Sequence, residues 1–326
     1  MGTKHLKHLG VIAAIALSTL AASAAAQAPY PSKPIRLVVP FAPGGPVDTL
    51  ARAMGPKLAE ALGQQMIVDN RPGAGSVIGT DVVAKAPPDG YALLITSSSI
   101  AINPAIFPKM PFDATRDLAP ISQLSASALI VVVHPSVPVR SVKELIALAK
   151  ARKGELVYAS SGTGSAPHLA VELFSSMTAT KMVHIPYKGA APATIDLLAG
   201  HVALMFNNLI SAVPNVQAGR LRALAVTGSA RTAALPDLPT VAEAGVPGYE
   251  ASTWYAMFAP AGTPVAIVER LHKDVSSVVK SQDIRRQLSA VGIESVGGTP
   301  EQLAKYLRSE ITKWGKVAKA SGARAD

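Results

Sequence analysis

Short runs of β-branched residues alternate with segments of helical periodicity from Ile35 onward. This alternation is typical of βα units, in which helices connect the strands of a parallel sheet. We therefore predict an α/β fold in which mostly parallel sheets are flanked by helices. The predicted strands cover residues 35–39, 66–69, 92–96, 129–133, 157–160, 182–185, 202–206, 224–226 and 254–258.

Two helix starts carry the capping-box pattern, in which a hydroxyl residue is followed three positions later by Glu or Gln. Ser141 with Glu144 predicts a helix that ends near residue 152, and Thr299 with Gln302 predicts the start of the last helix. In that last helix a mostly apolar stripe recurs at the helical period, which we interpret as a packing face. The stripe comprises Leu303, Tyr306, Leu307, Glu310, Ile311, Trp314 and Val317.

The length of 326 residues indicates two domains, since one domain usually takes about 100 to 200 residues. No repeat or low-complexity linker separates them, so we expect strands that cross between the domains, namely residues 129–133 and 254–258. Each is followed closely by a Pro that would end it. We predict a discontinuous first domain of residues 29–128 plus 252–326, and a second domain of residues 129–251. With 49% hydrophobic residues, the core needs no metal or disulfide for stability.

The segment 1–26 has the three parts of a secretory signal peptide. Two lysines precede an apolar run over residues 11–17, and small residues follow over 21–26. The apolar run is too short for a membrane span, which needs about 20 residues. We expect cleavage after Ala26, because a later small-x-small site would place Pro29 directly after the cut. The mature protein is then expected in the periplasm, which the lack of Cys also favours over a disulfide-rich extracellular setting.

Composition argues against several classes of function. The absence of Cys removes zinc clusters, iron–sulfur sites and thiol nucleophiles. The net charge is +10, but the basic residues form no run and carry no interleaved aromatic residues, so we expect no nucleic-acid binding. The seven His residues lie apart without paired acids, so no metal site is predicted. A positive field would still help to collect anions.

The first loop with recognisable chemistry joins the strand at residues 35–39 to a helix, and it contains Gly44, Gly45 and Asp48. The two glycines allow the backbone to turn with its N–H groups exposed at the helix N-terminus. These N–H groups and the helix dipole favour an anion such as a carboxylate or a phosphate. An ordinary strand-to-helix turn, with Asp48 as an acid in the first helical turn, explains the same residues.

A second loop of this kind lies between the strand at residues 157–160 and the next helix. It offers hydroxyl and backbone N–H groups to an anion, but it is neither a Walker loop nor the nucleophile elbow of hydrolases. No acid is placed to complete a Ser-His-Asp set, so we interpret His168 as a cap or a hydrogen-bonding group rather than a general base. The loop residues are Ser161, Gly162, Thr163, Gly164 and Ser165.

Three further polar segments lie at the carboxyl ends of predicted strands, where open α/β sheets bind their ligands. A glycine-rich segment at residues 73–79 resembles a dinucleotide turn, but its spacing is wrong and no acid follows about 20 residues later. We therefore predict no dinucleotide site. The three polar segments comprise Ser97, Ser98 and Ser99; Tyr187, Gly189 and Ala190; and Phe206, Asn207 and Asn208.

Several motifs follow one another along the chain. They are Pro40-Phe41-x-Pro43-Gly44-Gly45-x-x-Asp48, Asn70-Arg71-x-Gly73-Ala74-Gly75, Ser161-Gly162-x-Gly164-x-x-x-His168, Tyr187-Lys188-Gly189, the segment from Leu235 to Gly245, and Trp254-Tyr255-x-x-Phe258 with the segment from Ala259 to Pro264. Together they resemble the Bug (TctC-like) solute receptors of tripartite tricarboxylate transporters. The resemblance spans essentially the whole chain after residue 26.

This resemblance implies a type II periplasmic-binding-protein fold whose two α/β domains close on a small carboxylate. It implies a receptor rather than an enzyme, without a cofactor, that delivers its ligand to the membrane subunits of a transporter; we expect a monomer. One wall of the cleft would comprise the first loop and residues 97–99. The other would comprise residues 161–165, 187–190 and 206–208.

Two other functions fit parts of the same pattern. A sensory receptor for a histidine kinase would need the same site, and the sequence does not separate it from a transport receptor. A periplasmic hydrolase would use His168 and a serine of the second loop on an ester or an amide. Many members of the family that this chain resembles have an acid near Asn207. If that acid pairs with the ammonium group of a ligand, its absence here favours a plain carboxylate ligand over an amino acid.

Overall fold

The computed structural model describes residues 30–152 and 154–324, in which strands and helices alternate. The alternation follows the β-branched and helical patterns of the sequence, and the predicted α/β class is confirmed. The strands are β1 (Ile35–Val39), β2 (Met66–Asn70), β3 (Ala92–Ser97), β4 (Leu118–Val133), β5 (Val157–Ser160), β6 (Val183–Pro186), β7 (Leu204–Asn208), β8 (Arg222–Val226), β9 (Ser252–Pro260) and β10 (Glu294–Ser295).

Both helix starts that the sequence predicts from a capping pattern begin at a side-chain cap. Thr299 forms a complete capping box with Gln302, as predicted. Ser141 accepts the N–H of Glu144 as predicted, whereas the Glu144 carboxylate accepts the N–H of Arg140. The helices are α1 (Pro46–Leu62), α2 (Val77–Ala84), α3 (Ser99–Ile106), α4 (Val142–Ala151), α5 (Ala166–Thr178), α6 (Ala190–Leu198), α7 (Leu209–Gln217), α8 (Val265–Lys280), α9 (Gln282–Ser289) and α10 (Pro300–Ser321).

The first sheet has the strand order β2-β1-β3-β9-β4. Strand β1 pairs in parallel with β2 and β3, while β9 is antiparallel to both β3 and β4. The short β10 pairs with the other edge of β4. Because the parallel strands end at the same edge of the sheet, the loops that follow β1, β2 and β3 lie side by side.

Strand β4 is long enough to belong to two sheets. Its residues 118–128 pair with β9, and its residues 129–133 pair with β7 and β8. In the second sheet β5 is parallel to both β6 and β7. We call the half-molecule with β1, β2, β3 and β9 lobe 1, and the half-molecule with β5, β6, β7 and β8 lobe 2. Strand β1 is thus parallel to both of its neighbours in lobe 1, and β5 is parallel to both of its neighbours in lobe 2. Every pair that contains β4 or β9 is antiparallel.

The part of β4 that belongs to the second sheet is buried on both faces. Leu129, Val131 and Val133 belong to one apolar cluster, and Ile130 and Val132 belong to another. The alternation follows the two-residue period of a strand. A strand buried on both faces reads as a continuous apolar run, which explains why this part of β4 was recognisable in the sequence.

The last helix is joined to β9 by a buried carboxylate. Glu310 is only 5% exposed and accepts the indole N–H of Trp254 at 2.9 Å and that of Trp314 at 3.0 Å. Lys313 Nζ lies 3.7 Å from the same carboxylate. The predicted apolar stripe of this helix does face the core, and Leu303 is buried there, but its central position is an acid that pairs with two indoles.

The largest difference from the predicted strands concerns β4, which begins at Leu118 instead of residue 129. Its first half is rich in Ser and Ala and has few β-branched residues, so its strand propensity is weak, and pairing with β9 makes it a strand. Strand β7 includes Asn207 and Asn208, which the sequence placed in a loop. The predicted signal peptide lies outside the described residues. In the part of the chain that the structure describes, no helix is long and apolar enough to cross a membrane.

Candidate functional site

A small cavity of about 20 Å³ lies where helices of both lobes begin. Its walls include Pro46 of α1, Ala166 of α5, Ala190 of α6 and Asn208, which directly precedes α7. No side chain caps the first turn of α1, α6 or α7. The N–H groups of an uncapped helix start have no partner within the helix, and the helix dipole adds positive potential there. The arrangement favours an anion in the cavity.

The loop ahead of α1 is held in shape by Asp48. Gly44 turns with φ of +78° and donates its N–H to the Asp48 carboxylate at 2.8 Å. The same carboxylate accepts hydrogen bonds from Arg52 at 2.9 Å and Asn70 at 3.0 Å. Burial raises the pKa of Asp48, but the hydrogen bonds from Arg52, Gly44 and Asn70 lower it by more, so the pKa lies below its usual value. Asp48 therefore braces the loop and does not line either cavity.

The loop ahead of α5 is held from behind by His168. Ser165 is the N-cap of α5, and its hydroxyl accepts the N–H of His168 at 3.4 Å. Gly164, with φ of +77°, donates its N–H to His168 Nδ1 at 3.2 Å. Ser161 and Thr163 lie on the other side of this loop and line the cavities. His168 is thus hydrogen-bonded to this loop and lines neither cavity.

The end of β7 contributes Asn208. Its Oδ1 accepts the Tyr255 hydroxyl of β9 at 2.9 Å, which connects the two lobes at the back of the small cavity. Asn207 instead donates to Thr194 Oγ1 at 3.0 Å. Phe206 lies within the paired part of β7 and is completely buried in the apolar core, so its side chain does not line either cavity.

Three consecutive serines follow β3. Ser97 lines the small cavity, and its hydroxyl lies 3.0 Å from that of Ser99. The Ser98 hydroxyl lies 3.2 Å from Thr253 Oγ1 of β9. Ser98 and Ser99 are fully buried, so they support Ser97 from behind.

A larger cavity of about 350 Å³ adjoins the small one, and Phe41 and Ser161 line both. Most of its wall consists of apolar side chains and backbone. Among the described residues that line it, Lys188 is the only charged one. The lining residues are Pro40, Phe41, Gly73, Ala74, Gly75, Ser76, Phe107, Ser161, Gly162, Thr163, Pro186, Tyr187 and Lys188.

The turn at residues 73–76 belongs to this wall, although the sequence analysis assigned it no ligand. Asn103 donates to the Gly75 carbonyl at 2.9 Å and lies 3.1 Å from Ser76 Oγ. Ala74 and Ser76 have φ of +45° and +90°, a region that residues other than glycine rarely adopt. In the sequence this turn is a glycine-rich segment after a strand; its spacing does not fit a dinucleotide site, and nothing in it indicates a carboxylate.

The two lobes touch across the cavities. The Ala42 N–H of lobe 1 donates to the Lys188 carbonyl of lobe 2 at 2.9 Å. A Cβ atom added to Gly75 would lie 2.0 Å from the Thr163 carbonyl oxygen, and one added to Gly189 would lie 3.1 Å from Ala42 N. Backbone therefore approaches backbone where only glycine fits. These contacts hold the loops of the two lobes together beside the larger cavity.

The predicted site residues fall into two groups. Those that line a cavity are Ser97, Ser161, Gly162, Thr163, Tyr187, Ala190 and Asn208. Those that line neither are Gly44, Gly45, Asp48, Ser98, Ser99, Gly164, Ser165, His168, Gly189, Phe206 and Asn207. Lining residues that were not predicted as site residues include Phe41, Val47, Phe107 and Tyr255, because an apolar or aromatic side chain gives no sign in the sequence that it faces a ligand rather than a core.

The geometry offers no support for a hydrolase. His168 Nδ1 is occupied by Gly164, and its Nε2 lies 4.0 Å from Glu172 rather than beside a serine. Ser160 does lie 2.6 Å from His184 Nε2, but Ser160 is fully buried and cannot reach a substrate. Within residues 30–152 and 154–324, no group of three or more His, Asp or Glu could hold a metal ion.

Comparison with known proteins gives consistent matches over most of the chain. Residues 50–323 match the family model described as tripartite tricarboxylate transporter family receptor, TctC. Protein BugT of Bordetella pertussis is 40% identical over 297 residues, which cover 90% of this chain and 91% of BugT. The structure of R. palustris Rpa4515 with adipate is 40% identical with a TM-score of 0.88, over 90% of this chain and 99% of that one. MatC from Rhodopseudomonas palustris with bound malate is 31% identical with a TM-score of 0.85, over 88% and 99%.

Proposed function

This chain belongs to the TctC family of tripartite tricarboxylate transporter receptors, and we propose that it captures a small carboxylate in the periplasm and delivers it to the membrane subunits of such a transporter. Family membership confirms three predictions: the resemblance itself, the two-domain type II periplasmic-binding-protein fold, and a solute receptor rather than an enzyme. The identity of the ligand and its delivery are our proposal.

The observation that carries the proposal is the convergence of four helix starts on the small cavity. The N–H groups of α1, α6 and α7 have no capping side chain, and no Asp or Glu is among the described residues that line the cavity. A carboxylate there would accept several charge-assisted hydrogen bonds, each worth about 1.5 to 3 kcal/mol. The bound adipate and malate of two relatives support this choice of anion.

The ligand would be held by backbone N–H and hydroxyl groups, without an arginine clamp. No Arg is among the described residues that line either cavity, whereas Ser97, Ser161 and Thr163 present hydroxyl groups. The remainder of the ligand would extend into the larger cavity, past the rings of Phe41 and Tyr187. Lys188 at that wall favours a ligand that carries no positive charge of its own, because like charges repel.

The two lobes would act as the halves of a clamp. We assign residues 29–128 plus 252–326 to the first domain and residues 129–251 to the second; residue 29 lies outside the described residues. The support for this assignment is that β4 pairs with β9 up to residue 128 and with β7 and β8 from residue 129. Opening would require bending where β4 and β9 pass between the lobes.

Export to the periplasm would use residues 1–26 as a cleaved signal peptide. The periplasmic receptors in the family support this location. Intact mass of the protein recovered from the periplasm should correspond to a chain that begins at Gln27. A mass that retains residues 1–26 contradicts the proposed cleavage.

Ligand binding is tested by thermal shift over a panel that includes adipate, malate, mono- and tricarboxylates and aromatic acids. A ligand at 100 times its dissociation constant should add about 2.7 kcal/mol to the free energy of unfolding. Adipamide has the shape of adipate without its charge and serves as the control. Equal shifts with adipate and adipamide, or no shift with any acid, would overturn the proposed carboxylate site.

Gly45 provides a matched pair of variants. A Cβ atom there would lie 3.8 Å from Ala190 N, an ordinary contact, so Gly45→Ala should bind the acid found by the screen as the wild type does. The larger side chain of Gly45→Val would occupy the space in front of that N–H and should abolish binding. Calorimetry measures the affinities, and circular dichroism confirms folding. Normal binding by folded Gly45→Val contradicts the proposed position of the carboxylate.

Delivery is tested in cells that take up the acid found by the screen. Deletion of the receptor gene should abolish high-affinity uptake, and the wild-type gene should restore it. Unchanged uptake together with a lost transcriptional response to the acid would instead identify a sensory receptor for a histidine kinase.

A further inference from the structure

Three aromatic rings stack directly behind the second loop. Tyr158 of β5 stacks on His184 of β6 with ring centres 4.9 Å apart, and His184 stacks on His168 of α5 with centres 4.2 Å apart. The planes of the two imidazoles differ by only 10°. His168 and Tyr158 are buried and His184 is partly buried. Neither Tyr158 nor His184 was singled out by the sequence analysis.

His168 is hydrogen-bonded to the second loop itself, and His184 is hydrogen-bonded to Ser160, which directly precedes the loop. His168 Nδ1 accepts the Gly164 N–H at 3.2 Å. His184 Nε2 lies 2.6 Å from the Ser160 hydroxyl, which in turn accepts the Gly162 N–H at 3.1 Å. The rings therefore determine the orientation of two peptide groups on either side of Thr163, which lines the larger cavity.

The hydrogen bond from Gly164 defines the protonation state of His168. Because Nδ1 accepts a hydrogen bond, it carries no proton, so the ring is neutral with its proton on Nε2. A second proton would place two N–H groups against each other and release Gly164. It would also place a positive charge face to face with the ring of His184.

The titratable groups that face this stack include Glu172 and Tyr158. Glu172 Oε1 lies 4.0 Å from His168 Nε2 and accepts the Tyr158 hydroxyl at 2.7 Å. Burial lowers the pKa of His168 to about 3, with a smaller effect from His184. Burial also lowers the pKa of His184 to about 4. Both rings are therefore neutral at neutral pH.

We infer that His168 and His184 are positioning residues of the ligand site: they hold the second loop in its binding conformation through Gly164 and Ser160, and the contact with Gly164 requires a neutral His168. The inference rests on the proposed function, because it takes this loop to be part of the ligand site. It adds a pair of residues that touch no ligand and yet determine affinity.

Two variants of His184 separate the hydrogen bond from the stacking. The side-chain amide of His184→Gln can reach Ser160 as Nε2 does, whereas His184→Phe keeps a ring between Tyr158 and His168 but has no polar atom. His134→Gln, at a histidine that directly follows the end of β4, serves as the control. Adipate is the probe for affinity, and amide hydrogen exchange of Gly162 and Gly164 in the ligand-free protein reports the loop.

We expect His184→Phe to bind adipate about tenfold more weakly and to exchange the Gly162 amide faster, on the scale of one lost hydrogen bond. Gly164, whose acceptor is His168, should exchange as in the wild type. His184→Gln and His134→Gln should stay within about threefold of the wild type.

Wild-type adipate affinity and wild-type amide exchange in folded His184→Phe overturn the inference. An equal loss of affinity in His184→Phe and His184→Gln overturns it too. The exchange measurement needs no ligand, so it separates this inference from the proposed function. Faster exchange in His184→Phe, in a protein that binds no acid of the panel, upholds the positioning role and rejects the carboxylate site. Adipate binding by the wild type, together with loop exchange that neither His184 variant changes, upholds the carboxylate site and rejects the positioning role.

Discussion

Replacing Gly75 by Ala should prevent the two lobes from closing. Gly75 lies in lobe 1 with φ of +58°, and an added Cβ atom would lie 2.0 Å from the Thr163 carbonyl oxygen of lobe 2. An ordinary contact needs at least 3.4 Å, so the two walls would have to separate by about 1.4 Å. Because both partners are backbone, no side chain can turn away to relieve the contact.

The cost of this substitution has two parts that can be measured separately. Ala in the left-handed region costs about 1 to 2 kcal/mol of folding free energy. Separation of the walls would break hydrogen bonds to a bound carboxylate, and one such bond is worth about 1.5 to 3 kcal/mol. The dissociation constant should therefore rise between about tenfold and a hundredfold.

Gly63→Ala is the matched control. Gly63 ends α1 with φ of +71°, and no atom lies within 4 Å of its added Cβ, so it carries the backbone cost without the contact. Urea denaturation should show similar losses of unfolding free energy for both variants. Calorimetry with adipate should show weaker binding for Gly75→Ala alone, and small-angle scattering should show that adipate compacts Gly63→Ala but not Gly75→Ala. Wild-type affinity and compaction in Gly75→Ala would refute the reasoning, because the turn would then yield without opening the lobes.

Three further predictions concern stability. Glu310→Ala leaves the indole N–H groups of Trp254 and Trp314 buried without an acceptor. Each unpaired N–H group costs about 1 to 3 kcal/mol, so the unfolding free energy measured in urea should fall by about 2 to 6 kcal/mol. The lowered pKa of His168 means that the unfolded chain takes up a proton below about pH 6.5 while the folded protein does not. The wild type should therefore lose about 2 kcal/mol more unfolding free energy than His168→Asn between pH 7 and pH 5. Equal losses in the two proteins contradict this prediction. Asp48→Ala removes the acceptor of three hydrogen bonds and should lower the melting temperature, with a stability loss of about 1 to 3 kcal/mol; an unchanged melting temperature contradicts its bracing role.

Much of the architecture could be predicted because it depends on local patterns. The apolar runs of β1, β3 and β5 and the capping box at Thr299 identify themselves within a few residues. The first half of β4 could not be predicted in this way. Its Ser- and Ala-rich sequence has weak strand propensity, and it is a strand because β9 pairs with it from one side and β10 from the other.

The two glycine-containing loops could be predicted because their chemistry is local. Glycines and hydroxyl residues between a strand and a helix leave N–H groups exposed to an anion, and this pattern can be recognised in the sequence. The partners across the cleft were not. Gly75 meets Thr163, and Ala42 meets Lys188, only because β4 and β9 bring two distant segments of the chain together.

The sequence by itself determined the alternation of strands and helices, the family, and the two glycine-containing loops at strand ends, because each of these depends on residues that are neighbours along the chain. Only the tertiary structure decided that four helix starts share one cavity, that His184 stacks behind the second loop, and that Glu310 joins two tryptophans. These contacts join residues far apart in sequence, and no local periodicity records which of them will meet.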